Sequence, residues 1–131
     1  MPFFPRPSAI LSLAFAGSLL SACQSGREAS APNRAALPTM ERVALAANTC
    51  WFKSQDAAFK PYRLAPELNS FSGRPRILAV PRNSPESRPV LVVQAEGNPA
   101  RLDAFGPLMN GGEGERIRRD VLRWAGGGSN C

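Results

Sequence analysis

Two runs of branched apolar residues mark the middle of the chain: Arg76-Ile77-Leu78-Ala79-Val80 and Pro89-Val90-Leu91-Val92-Val93-Gln94-Ala95. Both are bounded by Pro, Gly and Asn, the pattern of β-strands. The polar stretch 81–88 between them is too short for a parallel crossover, which needs about a dozen residues or more, so the pair predicts an antiparallel hairpin. Upstream, residues 59–64 predict a further strand, interrupted at Pro61. Asn69-Ser70 and Ser72-Gly73 are turn-forming pairs. Downstream, residues 100–105 fit either a helix begun at Asn98-Pro99 or a returning strand, and the turn after Ala95 weighs towards strand.

The apolar period changes from two to 3.6 near the end of the chain. Over residues 113–125, Ile117, Val121 and Trp124 recur at helical spacing, with Leu122 and Ala125 widening the apolar side. Arg116, Arg119 and Arg123 gather opposite. Glu113 and Glu115 fall in the first turn, arginines follow, and this order complements the helix dipole. Gly126, Gly127 and Gly128 end the helix. A shorter helix is predicted over 40–48, where Met40, Val43, Ala44 and Ala47 keep helical spacing, Thr39 is placed to cap and Glu41 lies in the first turn. These elements predict an α+β domain over 39–131, a small antiparallel sheet of three or four strands packed against the C-terminal helix with the N-terminal helix beside it.

A third apolar run, residues 9–20, has no polar alternation and is far shorter than the ~20 residues that span a bilayer. Arg6 precedes it and small residues follow, the layout of a secretory signal. Its last four residues, Leu20-Ser21-Ala22-Cys23, resemble the lipobox of bacterial lipoproteins. The resemblance implies removal of residues 1–22, a diacylglycerol on the Cys23 thiol, and a lipidated tether over 23–38. Pro2, Pro5 and Pro7 beside a single arginine depart from the usual start of such a signal. A conventional signal cut after Ala29 or Ala31, with Cys23 an ordinary thiol, is the competing reading. Gln24 stands where an aspartate tends to retain such lipoproteins in the inner membrane, which implies the outer membrane with the domain facing the periplasm. Residues 24–37 lack apolar periodicity and read as a flexible linker reaching about 20 Å.

Removing residues 1–22 leaves 109 residues, enough for one small core. The full chain carries 16 Lys and Arg against 10 Asp and Glu. Without Arg6 the balance is 15 against 10, a net charge of +5, suited to anionic envelope surfaces; export argues against nucleic acid. With Cys23 assigned to lipid, Cys50 and Cys131 remain, and an even number of cysteines in an oxidising compartment predicts a disulfide between them. Unpaired thiols or an intermolecular bond through Cys131 are the alternatives. Trp51, next to Cys50, offers a stacking surface for a ligand but reads first as packing.

The chain contains no histidine, which removes imidazole-assisted nucleophiles and the usual zinc sites. Glu67, Glu86, Glu96 and Asp103 are carboxylates that glycoside hydrolysis would need, but their spacing does not set them apart from solvated charges. Lys53 and Lys60 lack a supporting serine motif. No catalytic residue, cofactor or metal is therefore assigned. Arg116, Arg119 and Arg123 form a candidate anion-binding face, since guanidinium forks suit phosphate and carboxylate; the competing reading is a helix surface laced by Glu115–Arg119 and Asp120–Arg123 pairs. The sequence thus predicts a non-enzymatic, membrane-anchored envelope lipoprotein that serves as assembly accessory or adaptor, with an envelope protein as partner. The alternative is a module binding an anionic envelope polymer or glycolipid through the arginine face or loop 81–89. The oligomeric state is not written in the pattern.

Overall fold

A computed structural model describes residue 2 and residues 31–131. The segment read as a signal, apart from residue 2, together with Cys23 and residues 24–30 of the expected linker, lies outside the described residues. Helix α1 spans Ala36–Ala47 and runs into a π-helical turn at Asn48–Phe52. Strands β1 (Tyr62–Glu67), β2 (Arg76–Pro81), β3 (Leu91–Glu96) and β4 (Arg101–Phe105) follow. A short 3-10 turn, Pro107–Asn110, leads to helix α2, Gly114–Ala125. The four strands form one antiparallel sheet in the order β1-β2-β3-β4. This is the α+β fold with an antiparallel sheet that the periodicities predict.

The period-2 pattern sorts the sheet's two faces. Ile77, Ala79, Leu91, Val93 and Ala95 point to the helices and join Met40, Val43, Ala47, Trp51, Phe59, Ile117, Val121 and Trp124 in one core. Leu78, Val80 and Val92 cluster on the other face with Ala65. Helix α1 lies over β3 and β2, and α2 packs against α1. Trp51 and Phe59 stack at 4.6 Å and 4°, with Trp124 tilted against Trp51 at 4.9 Å. Each of these rings is at most 1% exposed, and burial of a side chain of this size contributes about 1.5–3 kcal/mol.

Several boundaries differ from the sequence expectation for local reasons. Helix α1 begins at Ala36, four residues before Met40, with Ala35 rather than Thr39 at its N-cap. Pro38 falls in the first turn, where amides have no intrahelical acceptor, so the ring removes no helix bond. Thr39 is buried, and its hydroxyl accepts from Arg42 Nη2 at 3.3 Å. Residues 36–38 are therefore helix instead of tether. Strand β1 starts at Tyr62 and not at Phe59, because Asp56 organises residues 56–60 into a turn. Its carbonyl accepts from the Phe59 and Lys60 amides, and its carboxylate accepts from the Ala58 amide at 3.0 Å. Pro66, not Pro61, is the proline within β1, on an edge strand where a missing amide is tolerated. Residues 101–105 are strand, resolving the ambiguity there. Leu122, expected on the apolar side of α2, is 58% exposed; at 100° per residue it falls outside the arc defined by Ile117, Val121 and Trp124.

The passage from β4 to α2 depends on Gly106. Its φ is +122°, and a Cβ there would lie 2.5 Å from the Val90 carbonyl oxygen. That close approach lets the Leu108 amide donate to the same carbonyl at 3.0 Å, closing the chain against the start of β3.

Candidate functional site

The residues singled out by sequence fall into three groups. Cys23 lies outside the described residues. Cys50 and Cys131 stand at disulfide distance, with sulfurs 2.04 Å apart and Cα atoms 5.3 Å apart. The π-helical turn positions Cys50 at the core boundary, and the residues after α2 return Cys131 to it. The Trp124 indole helps hold that return by donating to the Asn130 carbonyl at 3.0 Å.

The three arginines of α2 do not act as one surface. Arg116 turns towards the turn at Asp56: its Nη1 donates to Asp56 Oδ2 at 2.7 Å, its Nε to Glu113 Oε2 at 2.7 Å, and its guanidinium lies 5.8 Å from the centre of the Phe59 ring. Burial alone pulls this guanidinium down, but the hydrogen bonds and charges of Asp56 and Glu113 outweigh it and hold Arg116 above its ordinary value. Arg123 donates to Asp120 Oδ1 at 2.6 Å and to the Asn130 carbonyl at 3.2 Å. Only Arg119 faces solvent, 63% exposed by side chain, with Glu115 at 3.8 Å. Both helix pairs weighed from sequence, Glu115–Arg119 and Asp120–Arg123, are present.

Asp120 joins these groups into a network. The carboxylate is buried and accepts from Trp51 Nε1 at 2.9 Å and from Arg123, with Arg116 Nη1 at 3.9 Å. Trp51 is thus packed and hydrogen-bonded internally, consistent with the packing role. The i, i+4, i+7 spacing of Arg116, Asp120 and Arg123 aligns them along one edge of α2 beside the π-helical turn. The pairing of Arg116 with Asp56 spans 60 residues, and the sequence offered no sign of it. From sequence, Asp120 was legible as the partner of Arg123, and its burial and its bond to Trp51 were not.

The remaining carboxylates are dispersed. Glu67 pairs with Arg76 across β1 and β2, while Glu96 pairs with Arg74 at 2.8 Å and with Arg101. Glu96 and Asp103 share a shallow hollow with Arg74 and Arg101, and Glu86 is exposed in the β2–β3 loop. An apolar groove of about 570 Å³ runs between α1 and edge strand β1, lined by Ala44, Leu45, Leu64, Pro66 and Leu68. Among the described residues, no group of three His, Cys, Asp or Glu is placed to hold a metal ion, and no helix is long and apolar enough to cross a membrane. Comparison with protein-family models, with curated proteins and with solved structures finds no match for this chain.

Proposed function

We propose that this chain is an envelope lipoprotein, held at the periplasmic face of a bacterial outer membrane through a diacylglycerol on Cys23, and that its domain acts without catalysis as an adaptor or assembly accessory for a larger envelope complex. The observation that carries the reading is the Cys50–Cys131 pair at disulfide distance behind a signal ending in Leu20-Ser21-Ala22-Cys23. A disulfide belongs to an oxidising compartment, which is where the lipobox resemblance sends the protein. The two features are independent, one in the folded domain and one in the leader. The adaptor role draws support from the small, disulfide-tied domain and from a chain without histidine.

The involvement of Arg116 and Arg123 in internal bonds leaves the arginine face of α2 poorly suited to capture an external anion, so that face is not part of the proposal. Mass spectrometry of membrane-extracted protein tests the anchor: a diacylglyceryl mass on Cys23 is expected, and an unmodified residue 23 overturns it. Pull-down from detergent-solubilised membranes tests the adaptor: one stoichiometric protein partner is expected, and recovery of glycolipid alone overturns it.

A further inference from the structure

The sheet has two ends, and the chain uses them differently. At one end, the Ala36 amide donates to the Gly97 carbonyl at 2.9 Å and the Ala100 amide to the Arg34 carbonyl at 2.7 Å. The segment before α1 is therefore fastened to the β3–β4 turn. The register places the start of β1, the end of β2, the start of β3 and the end of β4 at the other end, with Tyr62 beside Pro81, Ala79 beside Leu91 and Val92 beside Phe105. Five strand steps at 3.3 Å each separate the two ends by about 17 Å.

Charge is distributed unequally between them. Near the fastened end, Arg74, Arg76 and Arg101 are engaged with Glu67 and Glu96. The far end gathers Lys53, Lys60, Arg63, Arg82 and Arg88, all exposed. Lys53 follows Phe52, whose ring meets Phe59 edge-on at 5.2 Å, so Lys53 and Lys60 flank one aromatic contact. Arg82 donates from Nε to the Lys60 carbonyl at 3.3 Å and from Nη2 to the Tyr62 carbonyl at 3.2 Å. Its guanidinium is thereby held at the start of β1, against the Lys60 and Tyr62 carbonyls. Among the described residues, none of the five cations has a carboxylate within 4 Å. Nearby acids are Glu86, in the same loop as Arg82 and Arg88, and Asp56, which is bound to Arg116. Residues 31–131 hold 14 basic and nine acidic side chains, a net charge of +5; the five cations and Glu86 put +4 of it at this end.

We infer that the far end of the sheet is a binding surface for a carboxylate-rich polymer of the cell wall. Arg63 and Arg88 supply planar forks that match carboxylates; Arg82, whose Nε and Nη2 are engaged with the Lys60 and Tyr62 carbonyls, adds its charge, as do Lys53 and Lys60 around them. The inference rests on the lipoprotein reading for the polymer's being within reach. A bilayer that anchors the chain is disfavoured as the occupant, because the segment leading towards Cys23 leaves from the opposite end of the sheet. The surface complements an adaptor role by joining an anchored protein to the layer beyond its membrane.

The test is co-sedimentation of the full-length protein, purified in detergent, with isolated peptidoglycan sacculi. One variant combines Lys53→Gln, Lys60→Gln, Arg63→Gln and Arg88→Gln, sparing Arg82 because it ties β1 to β2. A control combines Arg34→Gln, Arg74→Gln, Arg101→Gln and Arg118→Gln and removes the same charge elsewhere. Retention is expected to fall about tenfold in the first and by no more than about twofold in the second, from the sum of several exposed charge contacts. Sacculi whose carboxyls have been amidated lose the wild-type protein. Soluble polyglutamate displaces wild type from native sacculi and dextran does not, an outcome that depends on no variant folding. Equal loss in both variants, undiminished binding to amidated sacculi, no displacement by polyglutamate, or stronger binding to phosphatidylglycerol vesicles than to sacculi would each overturn the inference. Failure of the anchor shows separately, as an unmodified Cys23 mass, and leaves the sedimentation readable.

Discussion

The indole of Trp51 donates to the carboxylate of Asp120 at 2.9 Å, joining the π-helical turn after α1 to the middle of α2 across 69 residues of sequence. Asp120 also accepts from Arg123 at 2.6 Å, so one buried carboxylate serves an indole and a guanidinium together. Removing it leaves a buried indole N–H without an acceptor and Arg123 without its counter-charge. Asp120→Ala is expected to destabilise the domain by about 2–4 kcal/mol. Urea denaturation of the oxidised protein measures this, and a loss below about 1 kcal/mol would show that the network does not hold the helix.

The Cys50–Cys131 pair spans 81 residues. The chain-entropy relation assigns a closed loop of that length about 4.5 kcal/mol at 25 °C. Paired Cys50→Ser and Cys131→Ser substitutions are expected to lower the urea midpoint in proportion, and reductant added to wild type should have the same effect. A wild-type midpoint indifferent to reductant would mean that the two sulfurs are not joined.

Gly106 and Gly112 provide a matched contrast. A Cβ at Gly106 would meet the Val90 carbonyl at 2.5 Å with φ at +122°, whereas one at Gly112 would meet nothing within 4 Å. Gly106→Ala is expected to cost about 2 kcal/mol or more, and Gly112→Ala to stay within about 0.5 kcal/mol of wild type. Thermal melts of the two variants separate these outcomes; equal shifts would contradict the geometry at the end of β4.

Arg116 gives a pH prediction with a definite sign. Its folded-state value lies above the ordinary one, so its contribution is complete below the unfolded guanidinium value and is lost only as pH rises through the folded one. The stability gap between wild type and Arg116→Gln should therefore stay constant between about pH 6 and 10, far below any guanidinium titration. Denaturation midpoints across that range test it, and a gap that narrows steadily towards pH 10 would contradict the assignment.

What the sequence revealed follows the range of the forces involved. The strand runs at 76–80 and 89–95 and the helix at 113–125 are set by local periodicity, and each appears within two residues of its expected bounds. The start of α1 was misplaced because Pro38 resembles a boundary and Thr39 a cap, although a proline in the first turn breaks no helix bond. Strand β1 was displaced because Asp56 spends its backbone carbonyl and carboxylate on a turn, a choice that only the neighbouring fold makes worthwhile. Among the arginines of α2, spacing identified the local pairs with Glu115 and Asp120. It could not foresee that Asp56, 60 residues away, would draw Arg116 inward. The cations at the far end of the sheet come from three stretches of chain, residue 53, residues 60–63 and residues 82–88, and only the strand register and the Phe52–Phe59 contact unite them.

The two hydrogen bonds that join Arg34 and Ala36 to the β3–β4 turn have a mechanical consequence. Tension applied along the N-terminal segment first meets the bond from Arg42 Nη1 of α1 to the Asn33 carbonyl at 2.8 Å, and next the bonds to Ala100 and Gly97. The load is shared between the first helix, through Arg42, and the β3–β4 hairpin. Under a steady pull the domain should yield by peeling at this turn, with the core around Trp51 and Trp124 the last part to open.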